Sequence, residues 1–172
     1  WQTITPERIL GCVVWQAAEI VEPGVVRLNY GGRMPIGEPD GSISERARIL
    51  STALISAGIK SPIKKDIRNE IWMKLWGNLS FNPLSMLTHG TMEQIANDND
   101  TLPIIRKMML EAQTIAETLG VKFSIDMEKR IQGARSVGNH RTSMLQDLEQ
   151  GRPVELDALL GGVIELSKLV GK

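Results

Sequence analysis

The chain has 172 residues, and twenty Lys+Arg are balanced by twenty Asp+Glu, so the formal net charge is zero. That balance argues against a nucleic-acid binder built on a large basic excess, and 42% hydrophobic with 23% charged residues excludes a disordered composition. Cys12 is the sole cysteine, which excludes an intrachain disulfide and a cysteine-based zinc site, and no apolar run reaches the ~20 residues that cross a bilayer. No signal-peptide pattern opens the chain, so a soluble, cytoplasmic protein without membrane or nucleic-acid partners is expected. It begins at Trp1 rather than Met and ends at Lys172 inside a helical pattern, so we expect a fragment of a longer protein.

In chain order, Ile9–Val14 reads as a short buried strand and Glu22-Pro23-Gly24 as a turn. Val25–Tyr30 alternates as a strand, Gly31-Gly32 allows a reversal, and Arg33–Gly37 is expected to return as its partner. Asp40-Gly41-Ser42 opens a helix carrying Ile43, Ala47, Leu50, Leu54 and Ala57, with Gly58 at its C′ position, and Ile59–Ile63 suits one more strand. From Asp66 onward strand-like alternation disappears. Helices are expected after Asp66, after the Thr91–Gln94 capping box, after Thr101 and after Ser124, then over Thr142–Gln150 and from Glu155 to Leu169. The boundary near residue 65 separates a β-containing segment, 1–65, from a helical one, 66–172.

Several chemical signatures are absent. There is no G-x-G-x-x-G, P-loop, G-x-S-x-G or H-E-x-x-H, and His89 and His140 have no carboxylate spacing that suggests a metal. No metal site is expected. One cluster stands out, from Trp72 to Ser85: Lys74, Asn78 and Asn82 recur every four residues among Trp72, Leu75, Trp76, Leu79 and Phe81. A helix would stack them along one stripe, where a cation and two amides are costly if buried without partners. A solvated polar face, with Asn82 leaving the helix ahead of Pro83, accounts for the same spacing. Ser143, in Ser-Met-Leu-Gln-Asp, and Glu155, in Glu-Leu-Asp, read by spacing as ordinary first-turn helix residues.

Taken together, Trp72–Pro83 (W-x-K-L-x-x-N-x-x-x-N-P), Ser143–Asp147 and Glu155–Asp157 resemble the ketopantoate reductase family, and the resemblance extends over nearly the whole chain. Gly11–Val14, Pro23-Gly24 and Ile36–Glu38 resemble that family's later dinucleotide-domain strands. The resemblance implies a mostly α fold: an all-helical domain like that of 6-phosphogluconate dehydrogenase, preceded by a partial α/β segment of Rossmann type. It implies hydride transfer from NADPH to the 2-oxo group of ketopantoate, in pantothenate synthesis. Lys74 would be the general acid, Asn78, Asn82 and Ser143 would bind substrate, and Glu155 and Ala17 would lie along the cofactor. A homodimer and a small 2-oxo acid are the implied partners.

The glycine-rich phosphate turn of such enzymes is not in this sequence, so most of the NADP site would be absent and the isolated chain inactive. Two other readings stay open: a reductase of another 2-oxo acid, and a non-catalytic helical dimerisation module descended from such an enzyme.

Overall fold

A computed structural model describes residues 4–172, apart from the side chains of residues 6 and 19, as two compact units that divide between Ile71 and Trp72. The fold is mostly α-helical, with a helical C-terminal unit and a smaller α/β N-terminal one. A long helix that begins at Ile67 spans that division.

In the N-terminal unit, a 3-10 turn at Pro6–Arg8 precedes β1 (Gly11–Cys12), β2 (Ala17–Glu22), β3 (Val25–Tyr30) and β4 (Ile36–Gly37). The expected strand at Val25–Tyr30 forms, but its partner is β2 and not Arg33–Gly37. Pro23-Gly24 makes the reversal, with Gly24 at φ +81°, the conformation a type II turn asks of its third residue. Ile36–Gly37 pairs instead with β1, antiparallel. Ile59–Ile63 contributes only a single parallel bridge, Ile63 to Ile36.

α1 (Glu45–Ser56) starts two residues later than expected, because the Ser44 hydroxyl caps it by accepting from the Ala47 amide. Glu38 fixes the approach to α1. Its carboxylate accepts from Arg46 Nε at 2.7 Å and Nη2 at 2.5 Å and from the Ser44 hydroxyl.

The helical unit is organised on the C-terminal part of α2 (Ile67–Thr88). Trp72, Trp76, Leu79, Phe81 and Leu84 join Ile95 and Ala96 of α3 (Met92–Asn97), five residues of α4 (Thr101–Thr118), Ile131 and Ala134 of α5 (Met127–Ser136) and Val163 of α7 (Gly162–Val170) in one core. Trp76 is fully buried, and its indole N–H donates to the Met109 carbonyl at 2.8 Å.

α2 does not release Asn82 ahead of Pro83; it runs on to Thr88 with the proline inside it. A helix-interior proline forfeits one backbone bond, but from Trp76 to Ser85 α2 is buried on nearly every side, and that packing outweighs the loss. The capping box at Thr91 and Gln94 is present. α5 is capped by Asp126 rather than Ser124, and α6 (Ser143–Glu149) is capped by Thr142. The last expected helix is interrupted: residues Asp157–Gly161 form a π-helical turn before α7, where two successive glycines relax the helical spacing.

Candidate active site on the central helix

Lys74, Asn78 and Asn82 do share one face of α2. At about 100° per residue they span about 80° of its circumference, and Ser85 falls within the same arc. Lys74 and Asn78 are part-buried, Asn82 is 7% exposed and Ser85 is fully buried. Among the described residues, no side-chain hydrogen bond engages the amide of Asn78 or of Asn82. Each amide therefore remains available to a ligand or to solvent.

The N-terminus of α6 meets the same stripe. Thr142 donates through its hydroxyl to Ser85 Oγ at 3.1 Å while accepting from the Leu145 amide at 3.2 Å. Ser143, the first residue of α6, follows Thr142 with its side chain exposed. The rest of its motif is structural: Met144 and Leu145 are buried, and Asp147 pairs with Arg152 at 2.6 Å.

Glu155 lies in the same unit, exposed, just before the π-helical turn, where its carbonyl accepts from the Leu159 amide at 3.0 Å. Ala17 opens β2 in the N-terminal unit, paired with Tyr30. Among the described residues, no group of three or more His, Cys, Asp or Glu could hold a metal. No helix among them is long and apolar enough to cross a membrane.

Sequence spacing gave no hint of Arg130. Its guanidinium packs so closely on Gly77 of α2 that a Cβ there would sit 1.9 Å from Nη2 and 2.6 Å from Cζ. Burial alone pushes the Arg130 guanidinium below its ordinary range. The one available signal was Gly77 itself, a poor helix former in the middle of an apolar helix.

An apolar cavity of about 470 Å³ opens elsewhere, lined by Leu79, Met108, Ala112, Ile115, Leu160 and Val163. Leu79 lies about 100° round α2 from Asn78, so this cavity looks onto a different face from the polar stripe.

Residues 66–172 match the family model of the C-terminal domain of ketopantoate reductase PanE/ApbA. The chain is 53% identical to the 2-dehydropantoate 2-reductase of Mesorhizobium japonicum, aligned over all of its length and 53% of that protein. The crystal structure of 2-dehydropantoate 2-reductase from Geobacter metallireducens superposes with a TM-score of 0.89 at 26% identity, covering 99% of this chain and 57% of the other. The enzyme of the same name from Methylococcus capsulatus gives 0.83 at 28% identity, covering 94% and 52%. The chain spans about half the length of the curated relatives it matches.

Proposed function

The chain belongs to the ketopantoate reductase family, and from that premise we propose that the intact protein reduces the 2-oxo group of ketopantoate with NADPH, giving pantoate. The observation that carries this reading is the stripe on α2: an ammonium group followed by two amides, Asn78 and Asn82, whose hydrogen-bonding capacity is not spent on described side chains.

Addition of hydride to a 2-oxo carbon leaves charge on the carbonyl oxygen, and a positioned acid must meet it there. In this proposal Lys74 Nζ gives its proton to that oxygen. Asn78 and Asn82 hold the substrate's polar groups without adding competing charge, and the Ser143 hydroxyl closes the same end of the stripe.

Toward a dinucleotide, each unit offers a residue of its own. Ala17 offers a small side chain beside which a flat ring can lie, and Glu155 an exposed carboxylate. No glycine-rich turn for a pyrophosphate lies within these 172 residues. A bound nicotinamide would supply the hydride. The 172-residue chain by itself is proposed to be inactive for that reason.

Lys74→Ala in the intact protein is expected to lower kcat at least about 10²-fold, the scale of positioned acid catalysis. Steady-state oxidation of NADPH with ketopantoate measures it. A loss under tenfold removes Lys74 as the acid, and an intact wild type that turns over no 2-oxo acid removes the reductase reading.

A homodimer belongs to the same proposal. Ile104 and Leu110 on α4 and Ile164 and Leu169 on α7 are between 48% and 80% exposed and are available to a second copy. Sedimentation of the intact protein is expected to give a dimer mass; a monomer at every concentration rejects that assembly.

A further inference from the structure

Ser85 falls in the same arc of α2 as Lys74, Asn78 and Asn82 but is fully buried, and the proposed mechanism gives it no part. Its hydroxyl is the middle of a directional relay. The Leu145 amide donates to Thr142 Oγ1 at 3.2 Å, the Thr142 hydroxyl donates to Ser85 Oγ at 3.1 Å, and the Ser85 hydroxyl donates to the Gly90 carbonyl at 2.7 Å. The relay thus joins α2, the link that follows it and the start of α6.

Two of the three bonds have a local purpose. Thr142 caps α6, and Ser85 satisfies a carbonyl just beyond α2. Neither purpose requires the two hydroxyls to meet. The bond between them spans 57 positions of sequence and joins side chains that are 0% and 4% exposed. Such a bond adds little net stability, but satisfied at both ends it fixes a distance and a direction that apolar packing leaves loose. α3 holds the same loop at two further points: the Met92 amide donates to the His140 carbonyl at 2.9 Å and the Glu93 amide to the Gly138 carbonyl at 3.3 Å.

The neighbours of the tie give it a use. On α2, Asn82 precedes Ser85 by three residues, and side chains so spaced stand about 5–6 Å apart at Cβ. On α6, Ser143 adjoins Thr142 in the chain, with about 3.8 Å between consecutive Cα atoms. Two of the groups assigned to the substrate are therefore each next to one end of the same bond. Lys74 is not: it stands eleven residues before Ser85, about 16 Å along the helix axis.

We propose that Ser85 and Thr142 are positioning residues, whose hydroxyl pair sets the separation of Asn82 and Ser143 and so governs how tightly the acid substrate is held. The inference rests on the reductase reading, which supplies the roles of Asn82 and Ser143; the paired hydroxyls themselves touch no substrate.

Thr142→Val keeps the shape and removes the hydroxyl. Ser85→Ala breaks the tie from the other side and leaves the α6 cap in place, so it also serves if Thr142→Val does not fold. In the intact protein each is expected to raise the KM for ketopantoate about tenfold, the order of one lost buried hydrogen bond. The kcat and the KM for NADPH should stay within about threefold of wild type, because the acid at Lys74 is not displaced. Thr142→Ser retains donor and acceptor and should bring the KM to within about twofold of wild type. An effect exerted through Ser143 must also shrink once Ser143 is gone: in a Ser143→Ala background, Thr142→Val is expected to add less than about threefold. Titration with pantoate, followed by tryptophan fluorescence, should show the same pattern without turnover. Val163→Ala truncates the core on α7 and should lower stability without moving the KM, which separates general loosening from loss of the tie.

A ketopantoate KM unchanged in both Thr142→Val and Ser85→Ala overturns the positioning role alone. So does an equal rise for ketopantoate and NADPH, a full effect of Thr142→Val on top of Ser143→Ala, or a Thr142→Ser protein as impaired as Thr142→Val. A wild type that reduces no 2-oxo acid, yet loses pantoate affinity about tenfold with Thr142→Val, rejects the reductase reading alone. A wild type that neither binds pantoate nor reduces a 2-oxo acid rejects both.

Discussion

Glu38 is only 5% exposed, and its carboxylate is fully engaged by the Arg46 guanidinium and the Ser44 hydroxyl. The Arg46 hydrogen bonds, and after them that of Ser44, hold its pKa at about 2, against an ordinary 4.5. A carboxyl whose folded pKa is depressed adds stability above its unfolded pKa and loses it as the pH falls through the folded one. The N-terminal unit is therefore expected to lose stability progressively between about pH 4.5 and about pH 2. Glu38→Gln should flatten that limb while lowering stability at neutral pH. Urea unfolding followed by circular dichroism across this range checks it; identical acid limbs in the two proteins would mean that the Glu38–Arg46 contact is not formed in solution.

At the scale of elements, legibility follows the amount of packing each residue reports. The helices after Asp66 carry their apolar residues at helical spacing, because one face of each meets the core, and their existence was plain from the sequence. Their caps were less so: Asp126 displaces Ser124, and Ser44 displaces the expected start at Ser42, since several capping residues stand within one turn of each other. The β2–β3 hairpin was half hidden. Ile20 is 77% exposed and Ala17-Ala18 are poor strand formers, so neither burial nor the opening residues mark β2. Only the Pro23-Gly24 turn held the pairing information, and it was outweighed by Gly31-Gly32. On α2 the stripe was legible as spacing, but its burial was not, because the proline that seemed to end the helix lies inside it. Arg130 was illegible altogether: its approach to Gly77 joins residues more than fifty positions apart, which no local pattern encodes.

Across the whole molecule, burial is uneven. Among the described residues, the buried hydrophobics of the N-terminal unit are Val13, Ile36, Ala47 and Ile67, whereas the connected core of the helical unit draws on α2, α3, α4, α5 and α7. Hydrophobic burial is the dominant favourable term in folding, so the helical unit holds most of what resists unfolding, and α2 is where it is concentrated. Trp76 is the severest single test. It is fully buried, packs 4.4 Å from the Phe123 ring and anchors α4 through the Met109 carbonyl. Trp76→Ala removes the ring, opens a cavity and leaves that carbonyl without its donor, and truncations of this kind cost about 3–5 kcal/mol. Val26→Thr, on the exposed hairpin at 65% accessibility, should stay within about 0.5 kcal/mol. Denaturant unfolding of both variants beside the wild type measures the contrast. Equal effects from the two substitutions would mean that stability is not concentrated around α2, and the rigid helix on which the polar stripe depends would lose its physical basis.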